Sequence, residues 1–176
     1  VPYGIYDTAR NDGHVCVGTS AETGHFCVDA LRQWWRTKGK QRYPKAEAIF
    51  IEADAGGGNS PRRRLWKRDL QRWADDTGLE IHVSHYPTGA SKWNPVEHRL
   101  FAPISINWAG QPLRSLDTML SCIRGTKTAT GLSVTAYLNS KHYPTKVSVS
   151  DAEMEAVNLR RHKTCPDWNY TITPQQ

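Results

Sequence analysis

Two strand-like runs, AEAIFIEAD at 46–54 and LEIHVSHY at 79–86, flank a single stretch of helical pattern. This pairing constrains the fold more than any other feature of the chain. A helix between two strands reads as a βα crossover, which lays the strands side by side in one sheet and packs the helix on its face. AEAIFIEAD is short and rich in β-branched residues, suited to a buried central strand. The intervening SPRRRLWKRDLQRWADDTG predicts a helix with Ser60 as N-cap, Pro61 at the first helical position and Gly78 just past its end. Trp66, Leu70, Trp73 and Thr77 share one face of it.

Upstream, YGIYDTA (3–9) and HVCVGT (14–19) flank the turn residues ARNDG and predict an antiparallel hairpin. Cys27, Leu31, Trp34 and Trp35 then recur at helical spacing between Glu22 and Lys38, with Gly39 ending the run. Downstream, a helix starts around Asn94-Pro95 and contains Pro103, which should kink or end it. Further elements are a helix near 115–124, a strand near 132–138 and a short helix opened by Ser150 with Glu153 as its capping-box partner. The order strand, strand, helix, strand, helix, strand, helix predicts an α/β fold, a mixed sheet with helices on its faces.

At 176 residues the chain suits one domain. Its net charge of +6 favours a polyanionic partner. The charge is uneven: Arg62, Arg63, Arg64, Lys67, Arg68 and Arg72 face only Asp69 between Ser60 and Trp73. Such a face suits a phosphate backbone, although basic residues on a helix are usually just solvated. Lys92 and Trp93 could hold a strand end by charge and stacking. No apolar stretch approaches the ~20 residues of a membrane span. Four scattered cysteines without a CxxC pair point to reduced thiols and a cytoplasmic setting.

Two carboxylates carry the candidate chemistry. Asp54 ends the most strand-like run, where ligand sites gather in open α/β sheets, and Gly56–Gly58 follow. Alone, it reads more readily as a turn aspartate. Glu97 lies three residues after Asn94, as in a capping box, and alone that reading suffices. Read as a pair from successive βα units, Asp54 and Glu97 could meet at the carboxyl edge of a sheet and offer the oxygen ligands that Mg²⁺ takes. His82 and His85 fall on opposite faces of one strand and form no metal set.

VPYGIYD, FIEADAGGGNS…RLWKRDLQ…ADDTGLEI, SKWNPVEHRLFAPISINW, KTATGLSVTAYL and WNYTI together resemble the Rhodopirellula-type DDE transposases of bacterial insertion sequences. WNPVEHRLF alone is similar to the Asn-Pro-x-Glu helix start of the mariner-like superfamily. The resemblance runs over nearly the whole chain. It implies a ribonuclease H-like fold and three acidic residues holding two Mg²⁺ (or Mn²⁺) ions. The second aspartate falls on Asp54 and the glutamate on Glu97, with 42 residues between them.

The implied partners are double-stranded DNA, as transposon ends and target, and further copies of the chain in a transposition complex. The implied reaction is phosphoryl transfer, cleaving and joining strands. On this reading residues 1–176 are a single catalytic domain, with 110–176 a family-specific C-terminal extension packed on it. The first aspartate belongs to a strand expected ahead of the hairpin, upstream of Val1. Asp7 lies on what counts as the second strand and does not take that role. The chain as given is therefore expected neither to cut nor to join DNA. Two other readings stay open: a non-catalytic DNA-binding or assembly module using the same basic helix, and a ribonuclease H-like nuclease without transposition.

Overall fold

The computed structural model describes residues 1–112 and 114–175. The fold is mixed α/β, and its strands divide between two sheets, one in each of two compact units. The chain passes between the units repeatedly: Val1–Ser20 and Lys92–His142 form the first, Ala21–Ser91 and Tyr143–Gln176 the second.

In the first unit, β1 (Pro2–Asp7) and β2 (Asp12–Gly18) form the expected antiparallel hairpin. β5 (Ser133–Asn139) joins β2 in parallel, with Asp12 opposite Ser133 and Gly18 opposite Asn139. Every residue of β2 is buried, as a strand flanked on both sides requires. Val15 and Val17 pack with Leu100, Ile104, Leu120, Ile123, Leu132 and Ala136 in one apolar cluster. The helical side of that cluster comes from a π-helical turn at Val96–Phe101, α4 (Ala102–Asn107) and α5 (Leu116–Arg124). Pro103 neither ends the helix nor sits deep inside it. The wide turn before it, in which Ala102 N–H donates to Glu97 C=O, sets Pro103 at the start of α4, where its missing N–H is tolerated.

In the second unit, α1 (Gly24–Trp34) is capped by Thr23, whose hydroxyl accepts from Phe26 N–H. Gly39 does not end this helical run. A π-helical turn at Trp35–Gly39 carries the chain into the short α2 (Lys40–Arg42). β3 (Ala48–Ala53) and β4 (Glu80–His85) are parallel, joined by α3 (Arg64–Thr77), as the crossover pattern requires. β7 (Asn169–Ile172) pairs antiparallel with β4, and β6 (Leu159–Arg161) with β7, giving the order β3-β4-β7-β6. α6 (Asp151–Glu155) opens with the complete Ser150/Glu153 capping box.

Further expectations need correcting. The strands form two sheets and not the single mixed sheet that the order of elements predicts. β3 is an edge strand, not a buried central one. It pairs with β4 alone within its sheet, and α3 packs over β4 and β7, so Phe50 stays 62% exposed. Ser60 does not cap α3: Ser60 C=O accepts from Arg63 N–H in a turn, and the helix starts only at Arg64, with Arg63 at the cap position. Gly78 does end it, in the left-handed conformation at φ 73°. Trp66, Leu70 and Trp73 form its buried face.

Candidate functional site

Asp54 directly follows β3, at the carboxyl end of the parallel β3–β4 pair. Its side chain is half-buried, and Oδ1 accepts a hydrogen bond of 3.1 Å from Asn59 Nδ2. Asn59, 6% exposed, closes the 3₁₀ turn Gly57–Asn59. This turn is pressed against the start of α1. A Cβ on Gly58 would lie 2.5 Å from the backbone of Thr23, so glycine here serves close approach as well as turning. No Lys or Arg of the described residues forms an ion pair with Asp54.

Behind Asp54 lies a buried polar chain that the motif reading missed. Trp66 Nε1 donates to Tyr170 Oη at 2.8 Å. Tyr170 Oη lies 2.9 Å from His85 Nε2, and His85 Nδ1 lies 3.1 Å from the Asp54 carbonyl oxygen. Burial pushes the His85 pKa down; the hydrogen bond to Asp54 partly offsets this, and the charge of Lys67 adds to it. Lys67 sits with its ammonium 5.3 Å from the centre of the Tyr170 ring, and burial lowers its pKa too, helped by Arg161. No local signal marks His85. Its role follows from the register that sets it opposite Ala53 and beside β7.

Glu97 belongs to the first unit, in the π-helical turn. The capping-box reading fails in half. Asn94 does cap, accepting from Val96 N–H through Oδ1, but the Glu97 carboxylate makes no return bond. It is exposed and has no side-chain partner among the described residues. Nearby, Trp93 is 70% exposed with the Lys92 ammonium 5.3 Å from its ring centre. His98 contacts the Lys92 carbonyl through Nε2.

The proposed DNA-facing side chains of the second unit differ in freedom. Arg62 and Arg63 are exposed, and their guanidinium groups have no partner among the described residues. Arg64 is tied to Asp151 and to the Val149 carbonyl. Lys67 is held over Tyr170. Among the described residues no group of three or more His, Cys, Asp or Glu side chains is gathered so as to hold a metal ion. No described helix is long and apolar enough to cross a membrane.

A family model described as the Rhodopirellula transposase DDE domain matches residues 1–174. No curated protein and no solved structure matches the chain.

Proposed function

Since this chain belongs to the Rhodopirellula transposase DDE domain family, we propose that Asp54 and Glu97 are two of the carboxylates with which it holds Mg²⁺ or Mn²⁺ for DNA strand cleavage and transfer. The family is one of transposition enzymes, and DNA is their substrate. The finer reading adds a ribonuclease H-like arrangement, in which residues 110–176 extend the catalytic domain, and the assignment of the two acids. The observation that carries it is the state of Asp54. A half-buried carboxylate stands at the carboxyl end of a parallel strand pair, fixed through one oxygen by Asn59 and ion-paired with no Lys or Arg among the described residues.

Both side chains suit a hard divalent ion, which takes oxygen ligands and leaves room for phosphate and water. Bound there, such ions supply charge stabilisation to a phosphate centre and lower the pKa of an attacking water or hydroxyl. The chain's own part is to place and to attract. Asp54 leaves Oδ2 available, Arg62 and Arg63 draw in the phosphate backbone, and Lys92 with Trp93 offers charge and a stacking face to a strand end. The third carboxylate of the family is assigned here to no residue.

The test is cleavage of the insertion-sequence ends by the transposase as its gene encodes it, compared with Glu97→Gln and Asp54→Asn. Each variant should lose at least about a hundredfold in rate while still binding the ends. Either one cleaving like the parent would remove its residue from the site. DNA binding that ignores both Mg²⁺ and these carboxylates, without any cleavage by the parent, would favour the assembly-module reading instead.

A further inference from the structure

With the imidazole neutral, the polar chain behind Asp54 takes one assignment of its protons. The Asp54 carbonyl can only accept, so His85 Nδ1 carries hydrogen. Trp66 Nε1 can only donate, so the Tyr170 oxygen accepts from it, and a neutral ring with its hydrogen on Nδ1 leaves Nε2 to accept the Tyr170 hydrogen. A neutral His85 is thereby fixed in one tautomer. It is 5% exposed, Tyr170 1% and Trp66 not at all. A polar chain buried this deeply and fully satisfied holds its members rigidly.

We propose that His85 is a positioning residue for metal binding at Asp54, oriented by Tyr170 and Trp66, with Asn59 as its counterpart on the carboxylate. His85 grips the main-chain oxygen of Asp54 and Asn59 grips Oδ1. The two bonds fix the backbone and the side-chain torsions of one residue from opposite ends and leave Oδ2 as the oxygen to offer a cation. Partners of this kind behind a metal ligand commonly change metal affinity or activity by 10–100-fold when removed. The inference rests on the reading of Asp54 as a metal ligand.

The experiment has a binding arm and a catalytic arm, both on the transposase as its gene encodes it. Calorimetric Mn²⁺ titration and the Mg²⁺ dependence of end cleavage are measured for His85→Leu, His85→Asn, Tyr170→Phe and Asp54→Asn. His85→Leu should weaken Mn²⁺ binding and raise half-saturating Mg²⁺ by roughly 10-fold or more. His85→Asn, whose amide N–H can replace Nδ1–H, should recover most of that loss, although both variants remove the ring and lower the melting temperature. Tyr170→Phe should fall between them. In ¹⁵N-histidine spectra of the parent, His85 should carry its proton on Nδ1, and Tyr170→Phe should shift the Nε2 resonance.

The inference is overturned if His85→Leu binds Mn²⁺ like the parent, if His85→Asn loses as much as His85→Leu, or if the proton sits on Nε2. An Asp54→Asn variant with parental Mn²⁺ binding and cleavage would instead overturn the reading of Asp54 itself.

Discussion

Single residues in this chain do several jobs at once, and their substitution costs should differ accordingly. Gly58 and Gly78 make the contrast. At Gly58 an added Cβ meets the Thr23 backbone at 2.5 Å, which cannot swing aside. Gly58→Ala should therefore cost roughly 1–3 kcal/mol, as overpacking does. At Gly78 nothing lies within 4 Å, but φ is +73°, so Gly78→Ala should cost only about 1 kcal/mol, from backbone conformation alone. Chemical denaturation of the three proteins checks both, and equal losses would show that the loop at 57–59 does not seat against α1 as described. Trp73, 1% exposed on α3, sets the upper end: Trp73→Ala should cost roughly 3–5 kcal/mol in the same measurement.

Among the elements, some local signals survived and others did not. The Ser150/Glu153 box was legible because its two hydrogen bonds are made within four residues, and α6 carries both. Gly78 was legible for the same reason. Ser60 misled because the Ser-Pro start is also a good turn, and the chain uses it as one before α3 begins at Arg64. Glu97 was half legible, since Asn94 caps while the carboxylate stays out of the cap.

The box at α6 also has a pH signature. Hydrogen bonds from the Ser150 backbone and hydroxyl hold the Glu153 pKa below its ordinary 4.5. A depressed carboxylate contributes stability that is fully present above the ordinary value and is lost as pH falls through the depressed one. The melting temperature of Glu153→Ala should therefore trail the parent at pH 7, with the gap narrowing below about pH 4. A gap that stays constant down to pH 3 would mean that the charged box does not form in solution.

At the scale of the whole molecule, the class of fold and the pairings β1–β2 and β3–β4 were legible, and the other strand pairings were not. Alternating β-branched runs and amphipathic stretches gave a mixed α/β chain. The parallel pairing of β2 with β5, more than a hundred residues apart, leaves no trace in either segment. The edge position of β3 was hidden for the same reason, because the order β3-β4-β7-β6 is completed by strands at the far end of the chain. His85 meets Asp54 through the register of β3 with β4, and Tyr170 through that of β4 with β7, which no local pattern displays.

The basic balance belongs to this scale too. If the charge serves DNA, replacing Arg62 and Arg63 together by Ala should reduce the steepness of log affinity against log salt by about 2, nearly independent of DNA sequence. Fluorescence anisotropy across a salt series measures this, and an unchanged slope would place the DNA on another face.

The most direct test of the account is anomalous scattering from Mn²⁺ in crystals of the encoded transposase bound to its insertion-sequence end. The account predicts a peak within about 2.5 Å of a carboxylate oxygen of both Asp54 and Glu97. Carboxylates more than ~10 Å apart, too far for Mg²⁺–O distances of ~2.1 Å to bridge, or a metal bound without either of them, would contradict it.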